Sequence, residues 1–190
     1  MEKFDSCIQI LRSDVKMFIK MIEEDENILN MKCAGWNLLH LATTLNKKEA
    51  IKFLIEKGID PNDGDISIAP LLLAINDSRR SPNEKVEKLE IIKLLVDKGA
   101  NVNPDLVVPA NNPLYLAVMK NEPEIVGYLL MKGAQMNTKA NPTALVAQLK
   151  KRRLTQIFVR HNPLCFLAEG LSSKDRLYLA QECKKIHDAR

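Results

Sequence analysis

The stretch from Asn37 to Asn62, NLLHLATTLNKKEAIKFLIEKGIDPN, aligns without a gap to Asn112 to Asn137, NPLYLAVMKNEPEIVGYLLMKGAQMN. A third copy is split: APLLLAI begins at Ala69, and EIIKLLVDKGANVN runs from Glu90 to Asn103. In the ungapped copies the alanine closing the first apolar motif lies seven residues before the Glu of the second, whereas Ala74 and Glu90 lie sixteen apart. About nine residues are therefore inserted, within NDSRRSPNEKVEKL. Self-similarity at such a period constrains the fold more than composition does. Each unit is one supersecondary element whose apolar face only a neighbour can cover, so the units must stack.

Each unit has a local logic. Pro70 and Pro113 suit the first turn of a helix, where the missing N–H is no loss, and Asn112 before Pro113 is a candidate N-cap. Leu, Leu and Ala then line a short inner helix. After a polar turn, EAIKFLI, EIIKLLV and EIVGYLL place large apolar residues at helical spacing on a longer outer helix. Gly58, Gly99 and Gly133 end it, at the left-handed position that glycine occupies without a Cβ penalty.

The motifs NLLHLA, APLLLA, NPLYLA and KGANVN resemble the ankyrin repeat, whose pattern runs T-P-L-H-x-A and closes on G-A-x-V-N. Three copies stand in phase at about 33 residues once the insertion is removed. Weaker matches extend the array. Ser13 to Asn30 resembles the outer helix of an N-terminal capping repeat, and Asn141 to Asn162 a fifth repeat with a stunted finger. The resemblance covers roughly residues 4–162 and implies an all-α solenoid of about five helix-turn-helix repeats with short finger loops. The repeats fall roughly at 1–33, 34–66, 67–107, 108–139 and 140–162, with an exposed loop insertion at about 76–88, or an early turn of the outer helix within it from Asn83, and a helical cap over 163–190.

Composition sets the remaining bounds. The chain of 190 residues is 46% apolar and 27% charged, which suits a folded array and not a disordered chain. No stretch reaches the roughly 20 apolar residues of a spanning helix, and the N-terminus lacks the apolar core of a signal peptide, so a soluble, cytoplasmic protein is expected, without a membrane partner. Cys7, Cys33, Cys165 and Cys183 are widely spaced, with no C-x-x-C pair, so neither a disulfide framework nor a zinc site is expected. The net charge is +4, but residues 150–190 carry ten Lys or Arg against four acids. Aromatic interleaving for single strands is absent there, so nucleic acid is not the expected partner. Lys150 to Arg153, KKRR, resembles a short nuclear-import signal; it also falls in the turn between the fifth repeat's two helices, where charge serves solubility.

His40 falls on the histidine of the family motif, where the resemblance implies an imidazole bonded to local backbone. Leu72 and Tyr115 stand there in the other copies, so no titrating group is required. No H-E-x-x-H, G-x-S-x-G, phosphate loop or Cys/His signature accompanies it; no catalytic residue, metal or cofactor is expected. A thiol and imidazole pair from Cys165 and His161 is the one enzymatic alternative.

The resemblance implies a monomeric, non-catalytic scaffold that binds a protein partner on a concave face of finger tips and inner-helix ends. On the fingers the matching positions are Ala34 and Trp36, Ile66 and Ile68, and Val108 and Asn111. On the inner helices they are Thr44 and Leu45, Asn76 and Asp77, Met119 and Lys120, and Gln148 and Leu149. A tryptophan and isoleucines on neighbouring fingers suit an apolar peptide or helix, unless the fingers fold onto each other and bury them. Degenerate repeats of this kind suit a pathogen effector directed at host proteins.

Two segments stay open. Ser81, between Arg80 and Pro82 in the insertion, is either a solvated loop residue or a phosphorylation site. The last 28 residues are either a terminal hairpin, with Leu164, Phe166, Leu167, Leu177, Leu179 and Ala180 covering the last repeat, or an F-box-like element. Leu171, Lys174, Asp175, Leu177, Cys183 and Lys184 fit the F-box pattern loosely, while the opening Leu-Pro is missing and Ile186 replaces an aromatic. That resemblance implies a substrate adaptor that recruits the Skp adaptor of a cullin ubiquitin ligase.

Overall fold

In the computed structural model, the described residues are 2–78, 81–104, 108 and 111–135, with 157, 173, 174, 177 and 181 as single helical positions. Gln148, Leu149, Lys150 to Arg153, His161, Cys165 and most of the C-terminal segment lie outside the described residues. The chain divides into two compact units, Met1–Asn101 and Val102–Arg190. The first holds α1 (Glu2–Ser13), α2 (Val15–Glu24), α3 (Leu38–Thr44), α4 (Lys48–Glu56), α5 (Pro70–Asn76) and α6 (Pro82–Asp97). The second holds α7 (Pro113–Met119) and α8 (Pro123–Met131). Short 3₁₀ turns occupy Glu26–Asn30 and Ile66–Ile68, and no strand is present among the described residues. The described residues are thus all-α, as the repeat pattern implies.

Helices α3 and α4, α5 and α6, and α7 and α8 pair as hairpins, and in the first unit α3 also packs on α5 and α2 on α4. Inner helix α3 buries six consecutive residues, Leu38 to Thr43. The outer helices bury the same three positions each time: Ala50, Ile51 and Leu54 on α4, Ile91, Ile92 and Leu95 on α6, and Ile125, Val126 and Leu129 on α8. Full burial of each large aliphatic side chain contributes about 1.5–3 kcal/mol relative to exposure.

The helix ends carry the repeat as faithfully as the core. After α4, α6 and α8 the chain turns on Gly58, Gly99 and Gly133, with φ of 95°, 100° and 79°. Each glycine N–H bonds a carbonyl three residues back, and the next N–H reaches back five, as Ile59 to Leu54, Ala100 to Leu95 and Ala134 to Leu129. This is the Schellman cap, and only a residue tolerating the left-handed region closes it without strain. After inner helices α3 and α7 the same cap recurs with asparagine, at Asn46 (φ 56°) and Asn121 (φ 57°). Asparagine visits that region more readily than other residues with a Cβ.

Two expectations need correction. Most of the insertion is helix, not an exposed loop across 76–88: α6 has 16 residues where α4 and α8 have 9. The extra turns start at Ser81, whose Oγ accepts the Glu84 N–H (3.3 Å) while Glu84 Oε2 accepts the Ser81 N–H (2.9 Å). With Pro82 following, this capping box supplies a complete start signal. In the first repeat, Ser13 to Asn30 is not one outer helix. Asp14 caps α2, then Asp25, extended at φ −140°, ends it and caps the 3₁₀ turn by accepting the Asn27 N–H.

The lengthened α6 is fastened to α5 by a lysine. Lys88 is 1% exposed, and its Nζ donates to the Asp77 carbonyl at 2.9 Å, at the end of an inner helix that lacks the asparagine cap of its neighbours. Removing this donor leaves a half-buried carbonyl short of a charged partner. Lys88→Met is expected to lower unfolding stability by about 1–3 kcal/mol in urea titrations, whereas exposed Lys85→Met stays within about 0.5 kcal/mol.

Candidate partner-binding site

The first finger is a tight turn. Cys33 and Trp36 exchange both backbone hydrogen bonds, each 2.9 Å. Between them Ala34 (φ 50°) and Gly35 (φ 81°) both take positive φ, the type I′ arrangement. Alanine is strained there by about 1 kcal/mol, so the surroundings must hold the turn in shape. What it holds is Trp36, half-buried, with its ring centroid 5.8 Å from that of His40 and the planes tilted by 42°. On the second finger Ile68 is half-buried; a Cβ on Gly35 would lie 3.9 Å from its Cδ1, so the two fingers come close at that tip. Ile66 opens the 3₁₀ turn that carries Ile68.

His40 supports this finger from beneath. The ring is fully buried, and Asn37 caps α3 by accepting the N–H groups of Leu39 (2.9 Å) and His40 (3.2 Å). Nδ1 lies 2.7 Å from Asn37 Oδ1 and 3.2 Å from Asn37 N, and a neutral ring satisfies only one of the two. In either tautomer Nε2 has no partner among the described residues. Gly64, at φ 113°, passes so close that a Cβ would sit 3.1 Å from Nε2. Any larger residue would strain the backbone and press on the ring.

An electrostatic link joins the first two fingers. Lys32 Nζ lies 2.8 Å and 2.7 Å from the two Asp63 carboxylate oxygens, and Asn37 Nδ2 donates to Asp63 Oδ2 at 3.2 Å. The Lys32 ammonium, aided by Asn37, holds the Asp63 carboxyl below the usual carboxylate range. Burial pushes the His40 imidazole below the ordinary histidine range; Asp63 opposes that shift and Lys32 adds to it.

The remaining predicted positions separate by unit. In the first, Thr44 is exposed and Leu45 half-buried at the end of α3, while Asn76 is exposed and Asp77 half-buried at the end of α5. Trp36, Ile68 and these four therefore share fingers and inner-helix ends of one unit. In the second, Val108 is 43% exposed and accepts the N–H of half-buried Asn111, and Met119 (half-buried) and Lys120 (exposed) end α7. The sequence reading missed Lys32, Asp63 and Gly64, because their roles arise only when separate fingers meet.

Among the described residues no group of His, Cys, Asp and Glu is placed to hold a metal ion, and no helix is long and apolar enough to cross a membrane. Cys7 is buried, and burial raises its thiol pKa, which works against a reactive thiolate. Leu177, placed inward in the terminal-hairpin reading, is instead 61% exposed, and Ser173, Lys174 and Gln181 are exposed as well.

Comparison with known proteins follows the same repeats. A family described as ankyrin repeats in three copies matches residues 70–140, and a single ankyrin repeat matches residues 34–63. Together they take in just over half of the chain. The chain is 26% identical over 143 residues to alpha-latrocrustotoxin-Lt1a of Latrodectus tredecimguttatus, covering 71% of this chain and 10% of that protein. It is 28% identical over 108 residues to an ankyrin repeat protein of fowlpox virus, covering 55% and 29%. It is 27% identical over 106 residues to BRCA1-associated RING domain protein 1 of Caenorhabditis elegans, covering 56% and 14%. The chain thus spans less than a third of each relative's length.

A depressed imidazole pKa means that the unfolded chain takes up the proton first. The stability that His40 contributes is complete above the unfolded value of about 6.5 and is lost as pH falls from there through the lower folded-state value. Wild-type urea midpoints are therefore expected to drop between pH 7.5 and pH 5, and His40→Gln to flatten that drop. Equal pH slopes for the two proteins would contradict the assignment.

Proposed function

Because the chain belongs to the ankyrin-repeat family, whose members are generally non-catalytic protein-interaction modules, we propose that it holds a protein partner on its fingers and inner-helix ends, centred on Trp36. The observation carrying this reading is the seating of Trp36. A type I′ turn and a buried histidine fix the indole while leaving it half open to solvent. An aromatic already held in place loses little freedom on binding, and such side chains dominate interface energetics. Ile68, Leu45 and Thr44 extend the same surface, which suits an apolar strip on a peptide or helix.

The test is affinity capture with the wild-type chain beside Trp36→Ala and Ile68→Ala, with thermal melts of all three. A partner held by the wild type is expected to bind at least about 30-fold more weakly to Trp36→Ala, the effect of a hot-spot truncation of about 2 kcal/mol. Unchanged affinity in both folded variants would remove these residues from the interface.

Exposed Leu177 favours a second reading, the substrate adaptor for a cullin ubiquitin ligase, because a partner must reach that leucine. The purified chain would then retain the Skp adaptor, and Leu177→Asp would abolish retention without lowering the melting temperature. Failure of the wild type to retain it ends this reading.

A further inference from the structure

Two repeat junctions are bridged by an asparagine carboxamide. Asn62 Nδ2 donates to the Gly99 carbonyl at 2.9 Å, and Asn62 Oδ1 accepts the Asn101 N–H at 2.7 Å. In the second unit Asn103 Nδ2 donates to the Gly133 carbonyl at 3.0 Å, and Asn103 Oδ1 accepts the Gln135 N–H at 2.7 Å. Each clamp engages a carbonyl and the N–H two residues after it. In the first repeat Asn30 stands at the corresponding place, with Gly58 and Asp60 as the corresponding pair. There the clamp is not made: neither the Asn30 carboxamide, the Gly58 carbonyl nor the Asp60 N–H has a partner among the described residues. Asn30 closes a 3₁₀ turn, whereas Asn62 and Asn103 follow glycine-capped helices, so its side chain leaves from a different backbone.

The open pair edges a cleft of about 720 Å³, lined also by Leu29, Lys32 and Lys57. Its charges are already engaged. Lys57 pairs with Glu26 at 2.9 Å and Lys32 with Asp63, while Asp60 Oδ1 accepts the Asn62 backbone N–H at 2.8 Å and one Nδ2 N–H at 3.2 Å. A carboxylate cannot donate to the Gly58 carbonyl, and an ammonium cannot accept from the Asp60 N–H. A primary carboxamide does both, in an arrangement the molecule itself uses twice. The cleft volume falls within the range of ligand sites and exceeds what one side chain fills, so the carboxamide arrives on a longer segment.

We propose that the junction between the first two repeats is a binding site for an asparagine or glutamine carboxamide carried on an extended segment of a partner protein. The proposal rests on the chain being a protein-binding module but not on Trp36, whose variants leave this site intact.

The test uses the full chain, labelled with nitrogen-15, titrated with Gly-Asn-Gly capped by acetyl and N-methylamide groups and, separately, with its Gly-Asp-Gly counterpart. The Asp60 amide resonance is expected to shift with the asparagine peptide and not with the aspartate peptide, while the clamped Asn101 and Gln135 amides stay in place. In the free protein, hydrogen exchange at Asp60 is expected to be about tenfold faster than at Asn101 and Gln135, the effect of one missing hydrogen bond. No shift up to the solubility limit, or equal shifts with both peptides, would overturn the proposal. Slow exchange at Asp60 that accelerates in Asn30→Ala would also overturn it, because Asn30 would then be closing the clamp itself.

Discussion

An inner helix of two turns cannot stand by itself, and the architecture follows from that limit. Helices α3, α5 and α7 have 7 residues each, about half the length at which an isolated helix becomes even marginal in water. Helix α3 answers by burying nearly all of its residues between an outer helix and the next inner one. Covering both sides of so short an element requires the chain to reverse within a few residues at each helix end. Left-handed Gly and Asn caps provide those reversals after every outer helix among α4, α6 and α8 and after inner helices α3 and α7, while α5 ends instead on the carbonyl that Lys88 engages.

The junctions between repeats are not chemically equal. Within the first unit, Asn62 joins the second repeat to the third by neutral hydrogen bonds, beside the exposed Lys48–Glu90 ion pair at 2.8 Å. The first and second repeats are joined by Lys57 with Glu26 and Lys32 with Asp63, partly exposed pairs of the kind that solvent and salt weaken. The same place carries the cleft and the depressed carboxyl of Asp63. Both junctions of the unit thus carry exposed ion pairs, and what distinguishes the second is the added carboxamide clamp of Asn62.

Much of this was legible in the sequence because it is local. The three glycines, the Asn112 cap and the outer-helix apolar spacing each involve residues within a turn or two of one another, and each was found as expected. The insertion was misjudged because polar composition, which suits a loop, equally suits a solvated helix once Ser81 and Glu84 close a capping box. The burial of Lys88 could not be read at all, since a lysine in a charged run looks solvated until its acceptor, the Asp77 carbonyl, is in place. Trp36 was visible as an outlier among the copies. Its seating on His40, and the close passage of Gly64 that leaves no room for a Cβ beside that ring, belong to contacts between fingers that no single motif encodes.

The lengthening of α6 has one more consequence. Its 16 residues exceed the 9 of α4 by seven, within a fraction of a residue of two full turns at 3.6 per turn. The added segment therefore moves the helix start outward without rotating it, and Ile91, Ile92 and Leu95 meet the core in the phase of Ala50, Ile51 and Leu54. Growth by whole turns leaves the buried lattice of the array undisturbed while raising a post of helix beyond it, with Val86 exposed along its side. Additions that are not near-multiples of a turn would leave the buried stripe in place but bring the chain into the helix on another side, so it is the link from the preceding inner helix that favours new length in near-whole turns.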